Sequence, residues 1–432
     1  MGSIEKKPWY RWVVFAVSNL AFTFGVMFVQ LGLIAPDLMR DFTVEAQEIG
    51  ILISVYSTVY AFMQLPGGIL ADRVGPRRVM SFFLGLGAVG MILFGQAPTF
   101  SISLAARMLV ALGVSVLYVN KVKVIGGWFK ADEFATAMGL GSSVGAVGRL
   151  LAGPALAALV SRFGWRNTYS AVGVLNLFFA VTCWIIIRDR SPALELEQEA
   201  EANSNVAPRP GILESIKMCF GNWQFVALFF VALLSYGGMM GGLGAWGIPF
   251  LMQGFGVERF DASMLMMVTA LVSLVTGPMW GRISDKRLRA RKPVLLITLA
   301  GAILGVLPLV VAADRLTLPI VAGLLAFRAL FSSGLLISYT MASELVPSSV
   351  LGVAMAGLNI GPYVGGGIYQ AASGFILGDP QRYADDGTPI YGIGDYQSVF
   401  LPGLVAWVVG FLVTLFVRET MNKNDEATFD ED

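Results

Sequence analysis

Along the whole 432-residue chain, apolar stretches long enough to cross a bilayer alternate with short polar connectors. A helix needs about 18–25 apolar residues to cross the hydrocarbon, and the pattern predicts twelve such spans. The first six run near Trp12–Ala35, Ile49–Leu70, Val79–Gln96, Ser101–Gly127, Phe134–Val160 and Tyr169–Ile187. The second six run near Trp223–Phe250, Ser263–Trp280, Val294–Val311, Leu318–Met341, Val350–Ile376 and Ser398–Val417. One long polar stretch, Arg188 to Gly211, separates the sets and reads as a flexible linker rich in Glu, Ala, Asn and Pro. The expected organisation is an all-α membrane protein: a six-helix bundle over 1–190, a linker with an interfacial helix over 191–220, a second bundle over 221–420, and a tail over 421–432. The interfacial helix is Ile212–Phe220, where Glu214 and Lys217 stand among apolar residues.

An internal repeat supports the division into halves. Pro36, Leu38, Met39 and Phe42 after the first span recur as Pro249, Leu251, Met252 and Phe255 after the seventh. Gly68, Asp72 and Arg73 recur at the same offset as Gly281, Asp285 and Lys286. Arg107, Gly113 and Tyr118 recur with identical internal spacing as Arg328, Gly334 and Tyr339. Two pseudo-symmetric bundles are expected from this order, with a binding site between them near the membrane midplane.

Charge fixes an orientation. Arg73, Arg77 and Arg78 follow the second span, and Arg282, Lys286, Arg287, Arg289, Arg291 and Lys292 follow the eighth. Acids dominate the alternate connectors, as in Asp37, Asp41, Glu45 and Glu48. Lys and Arg collect on the cytoplasmic side, so both termini and the linker are expected in the cytoplasm and the protein in the cell (inner) membrane. The basic start, with Lys6, Lys7 and Arg11, runs into a full-length apolar span rather than a short signal segment, so the first span is expected to be retained.

Composition agrees: 56% of residues are hydrophobic and 14% charged, and mean hydropathy is +0.70, far from the balance of a soluble domain. A net charge of +1 gives no sign of a nucleic-acid partner. With only Cys183 and Cys219 and no histidine, there is no disulfide framework and no metal-ligand set. No nucleophile–base pair or cofactor motif points to an enzyme. The expected partners are a small anion, the lipid bilayer and a co-transported or counter-transported ion, with the chain acting as a monomer.

The segment Gly68-Ile69-Leu70-Ala71-Asp72-Arg73-Val74-Gly75-Pro76-Arg77-Arg78, with its weaker copy Gly281-Arg282-Ile283-Ser284-Asp285-Lys286, resembles the loop signature of the major facilitator superfamily. Arg107 with Gly113 resembles the family's fourth-span pattern, and Gly153-Pro154 partly resembles its antiporter pattern. Lys123 to Phe129, with Trp165-Arg166, is similar to the organic-anion branches. The resemblance implies a secondary transporter working by rocker-switch alternating access. Gly68, Asp72, Arg73, Arg77, Arg78, Asp285 and Lys286 would then gate rather than bind, with the glycines allowing close helix approach and Asp72 pairing with nearby arginines.

Arg107, Arg149 and Arg328 interrupt apolar spans, and no Asp or Glu lies at comparable depth. An ionised side chain near the membrane centre costs about 2.5–3.5 kcal/mol, so it faces a partner or a wet cavity. Guanidinium groups match carboxylate, phosphate or sulfonate with two parallel hydrogen bonds, which points to a small organic anion, with Arg149 and Arg328 as leading ligands. At about 100° per residue, Tyr118 and Lys121 stay near the face of Arg107, while Lys123 points roughly 160° away. Lys121 is therefore the cavity candidate and Lys123 a gating or snorkelling cation. Tyr118, Tyr339, Asn120, Asn359, Tyr363 and Gln30 are candidates for neutral hydrogen bonds.

Without histidine or a mid-span carboxylate, the expected coupling is facilitated diffusion, anion exchange, or symport with the proton riding on the substrate. Three alternatives stand beside the anion carrier. One is an exporter of amphipathic drugs using Met239, Met240, Trp246, Met264, Met266 and Met267; the others are a uniporter of dipeptides or other zwitterions, and a non-transporting ligand sensor.

Overall fold

The computed structural model describes residues 9–27, 29–191, 211–380 and 382–421. The expected tail and most of the linker lie outside them. The chain divides into two units. One is Met1–Val44, Ile51–Pro208 and Asp386–Thr388; the other is Glu45–Gly50, Arg209–Asp385 and Pro389–Asp432.

The first unit is built from α1 (Tyr10–Met27), α2 (Ala35–Phe42), α3 (Ala46–Val74), α4 (Pro76–Gln96), α5 (Phe100–Ser115), α6 (Leu117–Trp128) and α7 (Ala131–Ile186). The second holds α8 (Ile212–Phe220), α9 (Trp223–Gly241), α10 (Leu243–Phe255), α11 (Arg259–Arg282), α12 (Lys292–Ala312), α13 (Leu318–Ser332), α14 (Ile337–Glu344), α15 (Leu351–Leu377) and α16 (Ile393–Phe416). Among the described residues, eleven segments are long and apolar enough to cross a membrane, and one of them, Asp132–Ile186, is 55 residues long. Within it Gly164 has φ +76° and ψ 158°, a left-handed excursion that breaks the helix into the expected fifth and sixth spans. The twelve-span pattern is thus present.

Glycine positions the first unit's helices. Gly141, Gly145 and Gly148 recur on one face of α7, and side chains at those sites would meet Asn19, Phe22 and Thr23 of α1. The side chains of α1 therefore seat in the groove these glycines leave, with Arg149 next to Gly148 at the edge of this seam. Gly113 of α5, by contrast, lies backbone to backbone against Gly87 of α4. Gly68 does not: a side chain there would meet open space, as it would at Gly281, and the tight approach belongs instead to Gly67, facing Val116. The expectation of close helix approach at Gly68 is corrected accordingly.

In the second unit a core of Phe225, Leu228, Val294, Leu299, Met341 and Leu358 takes in Cys219, so α8 is anchored at its end while Leu213 and Met218 remain exposed. A two-stranded hairpin, β1 (Arg382–Tyr383) against β2 (Pro389–Ile390), joins α15 to α16 and departs from the expected all-helical pattern. Gln253, after the seventh span, clamps its base. The Gln253 amide donates to the Pro389 carbonyl at 2.9 Å, and its oxygen accepts from the Tyr391 N–H at 3.0 Å and the Tyr396 hydroxyl at 2.8 Å.

Candidate functional site

In the first unit α1, α6 and α7 bring two cations into the neighbourhood of Phe22. Lys121 is 1% exposed. Its Nζ lies 4.4 Å from the ring centroid of Phe22 and 5.2 Å from that of Tyr118. Phe22 also borders Gly145, and Arg149 folds back along α7 toward the same spot, its Nη1 3.4 Å from where a Gly145 Cβ would stand. Arg149 is exposed and within electrostatic reach of Lys121 and Tyr56. Among the described residues neither cation has a carboxylate or hydrogen-bond partner; the rings of Phe22 and Tyr118 are the neighbours of Lys121. A cation over an aromatic face gains about 0.5–2 kcal/mol, well short of the several kcal/mol it costs to take an ammonium out of water. The remainder is available to an incoming anion.

Arg107 is arranged differently. It is 3% exposed, donates from Nη2 to the Val29 carbonyl at 2.5 Å, and lies 5.6 Å from the Tyr56 ring. Residues 29–31 interrupt helical structure after α1, and Arg107 satisfies a carbonyl freed by that interruption. Among the other expected polar ligands, Asn120 is fully buried and donates to Val116 of its own helix at 2.8 Å. Gln30 is exposed, and its carbonyl accepts from Tyr169 at 3.5 Å. Tyr118 is 44% exposed beside Phe22.

In the second unit Arg328 is 6% exposed, and its Nε and Nη1 are buried without a hydrogen-bond partner. It lines a small cavity with Gly238, Met239, Gly242, Phe400 and Trp407. Tyr339 donates to Asn359 at 3.2 Å, joining α14 to α15, and Tyr363 lies one turn beyond Asn359 on α15. The face shared by Arg328 and Tyr339 in a continuous helix is interrupted by the tight 3₁₀ turn Ser333–Leu336. The methionine-rich set does not converge: Trp246 is fully buried and bonded to Ser373 at 2.8 Å, Met264 lines a separate groove with Glu258 and Asp261, and Met266 packs on Gly247.

Carboxylates and cations pair instead at the helix ends. Asp72 binds Lys123 at 2.5 Å, and Lys123 also donates to the Gly68 carbonyl at 3.1 Å, tying the end of α3 to α6. The expected arginine partners are corrected. Arg77 turns to the Trp184 ring and carbonyl while its N–H donates to Asp189 at 2.7 Å, and among the described residues Arg73 and Arg78 have no ion-pair partner. Asp285 pairs with Arg291 rather than with Lys286. Arg291 also bonds Glu344 at 3.1 Å, and its N–H donates to Glu419 at 2.8 Å. Burial opposes the charge on Arg291, and the Asp285 and Glu344 carboxylates more than offset it, raising its pKa above the usual value.

Phe22, Arg291 and Glu344 were not singled out by sequence. Glu344 occupies the repeat position of Lys123, so the sign at that position inverts and Arg291 bridges two carboxylates where the first unit needs a single pair. That inversion was a readable signal. Phe22 carried none, because an aromatic on an apolar span looks like packing.

The chain is 23% identical over 414 residues to a probable sulfoacetate transporter of Cupriavidus necator, covering 92% of each protein. It is 31% identical over 153 residues to a probable L-galactonate transporter of Escherichia coli, a match spanning 35% of this chain and 34% of that one. A bacterial homologue of the human lysosomal transporter Spinster, solved in an inward-facing occupied conformation, superposes with a TM-score of 0.74 at 19% identity over 95% of this chain and 97% of that one, a likeness of fold. The profile of the Major Facilitator Superfamily matches residues 14–370 and 228–430. Twelve spans, an internal repeat, the paired loop signature and this profile agree: the chain belongs to the major facilitator superfamily and is a multi-pass membrane transporter, not an enzyme.

Proposed function

We propose that the protein carries small organic anions, carboxylates or sulfonates, by alternating access, with Lys121 and Arg149 as the cations that receive the acid group. The observation that carries this reading is the pairing of those two side chains around Phe22 with no carboxylate partner among the described residues. Tyr118, half exposed beside them, is placed to add a hydroxyl contact. Names of the relatives agree in chemistry, since L-galactonate is a hydroxy-carboxylate and sulfoacetate bears both acid types. Arg107 serves as a structural tie to the interrupted first span. Arg328, expected to bind the same substrate, lines a small cavity of its own within the second unit.

The Asp72–Lys123 pair and the Asp285–Arg291–Glu344 bridge gate the cycle, and their basic ends face the cytoplasm by the positive-inside rule, with both termini on that side of the cell membrane. Coupling rides on the substrate, as a co-bound proton or by exchange for another anion, because the chain has no histidine and, among the described residues, no carboxylate beside the two cations.

Vesicles containing the purified protein, offered hydroxy-carboxylates, sulfonated carboxylates, dipeptides and cationic dyes, test the reading. Anion uptake is expected, with Arg149→Ala raising KM about 10- to 100-fold, the worth of one charge-assisted hydrogen bond. Preference for cationic dyes, or anion uptake by Arg149→Ala with wild-type KM, overturns it.

A further inference from the structure

The internal repeat places Arg107 and Arg328 at equivalent positions, yet their surroundings differ in one respect. In the first unit the helix opens after α1, and the freed Val29 carbonyl accepts from Arg107 at 2.5 Å. In the second unit Gly242 stands at the repeat position of Val29, but the break there is one residue long and the Gly242 carbonyl already accepts from Trp246 at 2.8 Å. Arg328 therefore meets no freed carbonyl. Its Nε and Nη1 are buried without acceptors, and it lines a cavity closed by Gly238, Met239, Val306, Phe400 and Trp407. Among the described residues no carboxylate lines that cavity. The Trp407 indole N–H is already given to the Ser235 carbonyl.

We propose that this cavity is a binding site for a small inorganic anion of halide size, held by the charge and the unpartnered N–H groups of Arg328. A monovalent anion supplies both quantities the guanidinium lacks, an acceptor and a negative charge, and the space is on the scale of one ion or water rather than of an organic acid. The site is separate from the Lys121–Arg149 cluster, lies wholly within the second unit, and does not depend on which organic anion is carried.

Protein purified in sodium sulfate, whose divalent inorganic anion is too large for the Arg328 cavity, and titrated with sodium bromide at constant ionic strength tests the proposal by thermal unfolding, together with bromide anomalous diffraction from crystals of the same protein. A saturable rise in melting temperature and an anomalous peak beside Arg328 are expected. Arg328→Gln is expected to abolish both. Because that variant removes a buried charge and can fail to fold, Gly242→Ala is measured alongside. A methyl there meets nothing nearer than Phe400 at 3.4 Å and narrows the cavity, so the half-saturating bromide concentration should rise at least about tenfold with folding retained. Equal melting in bromide and sulfate, absence of the anomalous peak, or an unchanged bromide response in Gly242→Ala overturns the proposal. Bromide binding with no organic-anion uptake leaves it standing while rejecting the transport reading.

Discussion

Replacing Lys121 with Met should make the protein more stable and less able to transport. Lys121 is 1% exposed and, among the described residues, has the rings of Phe22 and Tyr118 but no carboxylate for company. Replacing whole buried ion pairs with apolar side chains stabilises by about 1–4 kcal/mol, and we take that as the scale for removing this single uncompensated cation. Loss of the cation–π contact subtracts about 0.5–2 kcal/mol. The difference spans about −1 to +3.5 kcal/mol and centres on a gain of about 1 kcal/mol, read as a higher melting temperature. Cys183 and Cys219 are both free and buried, so a thiol-reactive fluorophore reports unfolding directly. Against that gain stands the loss of one charge-assisted contact to the bound acid, about 1.5–3 kcal/mol, or a roughly 10- to 150-fold rise in KM. A saturating carboxylate substrate should raise the melting temperature of the wild type and leave that of Lys121→Met nearly unmoved. A variant that melts below wild type and still takes up anion with unaltered KM would refute the assignment.

Asp72→Asn weakens the link between α3 and α6; initial-rate measurements should show turnover falling more than affinity, and unchanged transport would count against a gating role. Gly148→Val drives a side chain into Thr23 where α7 meets α1, at an overpacking cost of about 1–3 kcal/mol. It should lower the melting temperature and, by displacing the adjacent Arg149, slow anion uptake; wild-type behaviour in both assays would contradict the close approach of the two helices.

The spans were legible because each is a nearly unbroken apolar run, and their number survived even where Gly164 alone separates the fifth from the sixth. Helical projection favoured Lys121 over Lys123 as the cavity candidate, and the structure places Lys121 beside Phe22 and Lys123 on Asp72. Projection failed for Arg328 and Tyr339, where a 3₁₀ turn changes the angular step. Partner choice at the helix ends was not readable either. Asp72 had three arginines close in sequence, but Arg77 found the Trp184 ring and carbonyl. Arg291 reaches Asp285 across a π-helical turn that ends at Arg289 with φ +46°, a geometry with no period to project. The hairpin after α15 is too short to show strand alternation.

The network around Arg291 includes Glu419 and Thr420, whose hydroxyl donates to Glu344 at 2.5 Å. These residues follow the final span, so during synthesis the knot can be tied only when the last helix has entered the bilayer. The Asp72–Lys123 pair needs only the first four spans. Completion of the two fastenings is therefore staggered in time, and a chain released before residue 419 would keep the Asp285–Arg291–Glu344 bridge but lack the bonds from Glu419 and Thr420 that tie it to the end of the last span.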